Sequence, residues 1–101
     1  MMEIPDQKTI ELRKALKDGD QTVAEVNLRE PTVRELEKFQ KDIEKHGPIN
    51  AMSLMISTIS GLPKPTIDHM GARDFKDCQN YLASFLEYGE AQDSRETGAA
   101  N

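Results

Sequence analysis

Three residues of this chain are of the types that build a hydrolytic triad: Asp68, His69 and Cys78. A cysteine becomes a nucleophile when a histidine takes its proton and a carboxylate orients the ring. Their spacing here matches no nucleophile motif, because Asp68 and His69 are chain neighbours and Cys78 falls on the apolar arc of a helical pattern with Phe75, Tyr81, Leu82, Phe85 and Leu86. A cysteine in such a place is expected to be buried and structural. His46 ends another helical pattern, where a cation complements the dipole, and no second ligand stands at a metal-binding spacing from it. The glycines sit at turns and helix ends and form no phosphate-cradling loop. No catalytic residue, cofactor site or metal site is expected, so the sequence reads as a non-enzymatic interaction protein.

The elements that carry these residues must come from one small domain. The chain has 101 residues, with 13 Lys plus Arg against 18 Asp plus Glu, for a net charge of −5. An acidic chain is poorly suited to displacing counterions from nucleic acid or docking on an anionic membrane. The single cysteine excludes an internal disulfide and a cysteine-built zinc site. The first residues carry acids and no apolar core, so neither a signal peptide nor a membrane span is expected, and the cytoplasm is the expected compartment.

Residues 8–16 and 21–29 alternate in polarity around the turn signal Lys17-Asp18-Gly19-Asp20. The apolar pattern predicts a three-residue bulged turn at Lys17-Asp18-Gly19, with Ile10 opposite Val26 and Leu12 opposite Ala24. Thr32 and Glu35 then form a capping-box pattern, opening a helix in which Val33, Leu36, Phe39 or Gln40, and Ile43 make the apolar face. Gly47-Pro48 ends it.

The segment from Gly47 to Pro63 has no charged residue, although charges make up 31% of the chain. Ile49, Met52, Met55, Ile56, Ile59 and Leu62 share one helical arc, and Leu54 projects from the weakly polar opposite side. Such a helix is either central and packed on both sides, or meets a partner on one of them. A short helical turn from Lys64-Pro65-Thr66 through Ile67 to Met70 follows, and a last helix runs from about Ala72 to Tyr88, closed by Gly89. The predicted fold is α+β: one β-hairpin packed on three to four helices, spanning residues 8–89 between a flexible N-terminus (1–7) and a flexible tail (90–101).

The order of these segments resembles a known family. A strand ending in Leu28-Arg29-Glu30-Pro31-Thr32 runs into a helix containing Leu36; an apolar helix ends in Ile56-Ser57-Thr58-Ile59-Ser60-Gly61-Leu62-Pro63; Ile67-Asp68, Met70 and Asp74 lead to a helix ending in Phe85-Leu86. Over residues 22–88 this resembles the small tail assembly chaperones of Mu-like and related contractile-tailed phages and prophages. The resemblance implies a non-enzymatic protein of the host cytoplasm, absent from the finished virion. Its implied partner is the long helical tape measure protein, kept soluble until tube subunits polymerise around it. A longer form of the chaperone, made by ribosomal frameshifting, is a second implied partner; Ser84-Phe85-Leu86 is a place where the codons can form a slippery run. No motif of the family fixes its binding residues.

The pattern alone nominates Met52, Leu54, Met55, Ile59, Tyr81 and Tyr88 as partner-binding, since methionine-rich and aromatic surfaces adapt to client helices. The alternative reading is a structural or regulatory adaptor of a phage or prophage that forms homo-oligomers through the helix of residues 49–62.

Overall fold

The computed structural model describes residues 4–98, with side chains through residue 86. Two antiparallel strands, β1 (Gln7–Asp18) and β2 (Gln21–Arg29), are followed by α1 (Val33–His46), α2 (Pro48–Ser60), α3 (Lys64–Asp68) and α4 (Ala72–Gly98). The α+β expectation is correct: a hairpin lies on a helical cluster.

The hairpin departs from the predicted turn. Asp18 pairs with Gln21, leaving the two-residue loop Gly19-Asp20. Gly19 has φ 64°, a left-handed conformation that a side chain would strain. Ile10 does stand opposite Val26, but Leu12 is not paired with Ala24. Glu11 pairs with Glu25 and Leu16 with Val23, so residues 12–15 of β1 stand against Ala24 alone. The irregularity therefore lies inside β1 rather than in the turn, and its cause is a distant carboxylate. Asp74, near the start of α4 and 1% exposed, accepts the backbone N–H of Arg13 at 2.9 Å and of Lys14 at 3.2 Å. The strand bends to satisfy that buried acid, so extra residues accumulate where the two meet.

The capping box at α1 is formed in both directions: Thr32 Oγ1 accepts the Glu35 N–H at 3.2 Å, and Glu35 Oε1 accepts the Thr32 N–H at 2.9 Å. Arg29, the last residue of β2, holds the same Glu35 carboxylate bidentately at 2.9 and 2.8 Å. The strand-to-helix corner is thus fixed by one acid with two functions. Gly47, with φ 87° and ψ 161°, ends α1 and begins α2 in a backbone conformation essentially reserved for glycine.

Helix α2 is the centre of the molecule, touching α1, α3 and β2. Ala51, Met52, Met55, Ile56 and Ile59 are buried on it, and Ser53 is buried as well. That surrounding explains the absence of charge: a charged side chain here would lose its hydration without a partner. The core continues through Val26 and Leu28 of β2, Ile67 of α3, and Cys78, Tyr81 and Leu82 of α4.

Two expected apolar contacts are absent. Val33 and Ile49 stand at the first turns of their helices and are 82% and 73% exposed. In α1 the predicted ambiguity resolves to Phe39, which is buried, while Gln40 is exposed.

Helix α3 starts at Lys64 and ends at Asp68, short of the predicted Met70. Helix α4 passes through Gly89 and ends at Gly98. A lone glycine costs only about 1 kcal/mol in a helix, and Glu90, Ala91 and Gln92 after it favour continuation. At the other end, Pro5 and Asp6 are held by hydrogen bonds: Tyr81 Oη donates to the Pro5 carbonyl at 2.6 Å, and the Glu30 N–H donates to that of Asp6 at 2.9 Å.

Candidate functional site

The residues with hydrolytic types are separated by their structural duties. Asp68 accepts from Ser53 Oγ at 2.7 Å and from Lys64 Nζ at 2.9 Å, which hold its carboxyl below the usual range, Ser53 contributing most. His69 Nδ1 lies 2.8 Å from the Pro65 carbonyl. Cys78 is fully buried, and its thiol is pushed up to about 12, by burial first and then by the carboxylates of Asp77 and Asp74. It is a core side chain that stays protonated. No group of three His, Cys, Asp or Glu residues able to hold a metal occurs among the described residues.

The nominated partner-binding residues divide by depth. Met52, Met55, Ile59 and Tyr81 are 3%, 5%, 9% and 6% exposed, so their side chains pack within the chain. Leu54 is half-buried at the surface. Tyr88 lies in the part of α4 whose side chains are outside the described residues. Tyr81 packs edge-on against Phe85, ring centroids 5.3 Å apart, and forms one wall of an open cleft of about 570 Å³ between the N-terminal segment, β1 and α4.

Leu54 and Met55 come together in a different place, a small groove of about 20 Å³ between α1 and α2. Phe39, Ala51, Leu54 and Met55 give it an apolar floor, and Glu35, Lys38 and Asp42 stand along one side. Those charges are already engaged: Glu35 is bound by Arg29, and Lys38 pairs with Asp42 one helical turn on. The Arg29 guanidinium, with smaller help from the Thr32 N–H, holds the Glu35 carboxyl at about 2 against the opposing effect of burial. The charged side of the groove is therefore neutralised within the chain, beside an apolar floor. Exposed Ile49 and Val33 lie toward opposite ends of the α1–α2 pair.

Sequence reasoning missed Val33 and Ile49 as surface residues because helical periodicity puts them on the apolar arc. The signal available was position: each belongs to the first turn of its helix, where the arc runs past the neighbouring element.

A family model described as "Phage tail assembly chaperone proteins, E, or 41 or 14" matches residues 9–87, which is the hairpin and all four helices up to the C-terminal part of α4. The chain belongs to this family of phage tail assembly chaperones. No curated protein and no solved structure matches it. The residues lining the chaperone's α1–α2 groove, Glu35 to Thr58, lie within the matched span. Among the described residues, no helix of the chaperone is long and apolar enough to cross a membrane.

Proposed function

We propose that this chaperone binds the helical tape measure protein of a contractile tail and keeps it soluble until the tube assembles around it. The observation that carries the reading is the α1–α2 groove: an apolar floor with Leu54 at its edge, and flanking charges neutralised within the chain. An amphipathic client helix laid along it buries its apolar face without stranding charge. Leu54 makes the contact, over a floor that includes the buried Met55, with Ile49 and Val33 extending it at the ends. Met52 and Ile59 are buried core residues of α2, and Tyr81 lines the separate cleft between β1 and α4. The reading is of a host-cytoplasm protein without catalytic function that leaves before the virion is complete. A frameshifted longer form, sharing this domain, accompanies it; a slippery heptamer at the codons of Ser84-Phe85-Leu86 with an overlapping downstream frame is the nucleotide signature required.

The test is capture of the tape measure protein encoded beside this gene by the tagged chaperone. Leu54→Asp, which places a charge at the groove, weakens capture about tenfold or more. Equal capture by the wild type and by Leu54→Asp removes the groove from the account.

A further inference from the structure

The two edges of the hairpin are not alike. The outer edge of β1 is interrupted by the irregular residues 12–15, and its Arg13 and Lys14 N–H groups are taken by Asp74. It also carries Lys8, Lys14 and Lys17. Bulges, lysines and a covering element are the devices that stop an edge strand from pairing with another chain. Strand β2 has neither lysine nor proline, and over Glu25–Arg29 it pairs with β1 in regular register.

The direction of its free backbone groups follows from one bond. Glu30 donates to the Asp6 carbonyl at 2.9 Å in the same register that sets Val26 against Ile10. In an antiparallel ladder every second residue bonds the partner strand, so the even-numbered residues here face β1. The backbone N–H and C=O groups of Glu25, Asn27 and Arg29 face outward, and among the described residues no backbone hydrogen bond reaches them.

The side chains of those three residues read negative, neutral, positive along β2. An antiparallel second copy reads positive, neutral, negative, and so matches at every position. Glu25 also stands directly opposite Glu11, two like charges on one hairpin face, and neither has an ion-pair partner among the described residues. A cation supplied from outside relieves that repulsion.

We infer that β2 is a homodimer interface. Two copies pair their β2 strands antiparallel about a two-fold axis at Asn27, forming a four-stranded sheet of order β1-β2-β2-β1. Glu25 of each copy then stands opposite Arg29 of the other, Asn27 opposite Asn27, and Val26 opposite Leu28 on the inner face, which continues the core across the axis. The Asn27 Oδ1 accepts from Thr9 at 2.8 Å within the copy, leaving its NH2 group to donate across. Arg29 keeps its bond to Glu35 and, at 40% side-chain exposure, has an open side for Glu25 of the other copy. The pairing uses the β2 edge, which adjoins the α1–α2 groove only at the Arg29–Glu35 pair, and holds whichever tail protein that groove takes.

Sedimentation equilibrium of the full chain between about 1 and 200 μM tests it, because association depends on concentration. The wild type is expected to reach twice 11.4 kDa. Asn27→Pro removes an outward N–H that the ladder to β1 does not use, and weakens the dimer at least about tenfold with the circular dichroism spectrum retained. Glu25→Arg, an exposed change that sets arginine against Arg29 twice per dimer, weakens it about as much and decides the matter if Asn27→Pro does not fold. Asn27→Cys is joined to itself by a short bis-maleimide, since opposed residues of a hydrogen-bonded antiparallel pair have Cβ atoms within about 5.5 Å and Cys78 is buried. A wild type that stays monomeric throughout overturns the proposal. So does a dimer indifferent to Glu25→Arg, or an Asn27→Cys protein that stays unlinked.

Discussion

The carboxylate of Asp74 receives the backbone N–H of Arg13 across 61 positions of sequence, at 2.9 and 3.1 Å to its two oxygens. The same acid takes the Lys14 N–H and the Arg13 guanidinium. Burial pushes the Asp74 carboxyl up, but these donors outweigh it, and its titration lies below the ordinary 3.8. One side chain thus ties the long helix to the hairpin and fixes where β1 leaves its regular ladder.

Removing that acid therefore disturbs two elements together. Asp74→Ala removes the acceptor of the part-buried Arg13 and Lys14 N–H groups and is expected to cost about 1–3 kcal/mol in urea unfolding. Asp74→Asn keeps an acceptor oxygen and costs less. Equal losses for the two variants contradict the role given to the oxygens.

The strand-to-helix corner predicts the acid response. The fold holds the Glu35 carboxyl at about 2 against an ordinary 4.5, chiefly through Arg29. A depressed carboxyl stabilises the fold fully above its unfolded value, and that contribution fades as pH falls from about 4.5 toward 2. Asp74, also depressed, adds to the loss at the lower end. Glu35→Gln should cost about 1 kcal/mol at pH 7, as the loss of a capping partner does, and should flatten the fall in Tm between pH 5 and 2. An unchanged pH slope contradicts the assignment.

Much of this fold is legible in the chain. The Thr32–Glu35 capping box, the Gly47-Pro48 break and the Ile10–Val26 pairing follow from residue types at short range, where each signal and its partner lie within a few positions or one hairpin. The β1 irregularity is not legible, because its cause is Asp74, which stands 61 positions away from Arg13 in the chain. Burial of Met52, Met55 and Ile59 follows from the absence of charge on α2, yet the pattern alone leaves open whether neighbours or a partner cover them. The groove at Leu54 depends on how α1 crosses α2, which periodicity does not encode.

The corner between those helices rests on Gly47. Its φ of 87° with ψ of 161° is a conformation that any side chain strains, although a Cβ there meets nothing within 4 Å. Gly47→Ala is expected to lower stability by about 1–3 kcal/mol through backbone strain alone. A neutral substitution, measured by thermal unfolding, contradicts this.

Cys78 supplies a probe of global opening. Its burial and a thiol pushed up to about 12 leave no thiolate at pH 8 in the native state. Labelling by a disulfide reagent such as DTNB should proceed only through unfolding, and accelerate with added urea in step with it. Rapid labelling of the native protein contradicts the core placement.

The chaperone reading stands most directly on the solubility of the client. Co-expressing the neighbouring tape measure protein with this chain should move it from the pellet to the soluble fraction, and Leu54→Asp should return most of it to the pellet while the chaperone itself stays folded. A tape measure protein equally insoluble with and without the chaperone contradicts the account.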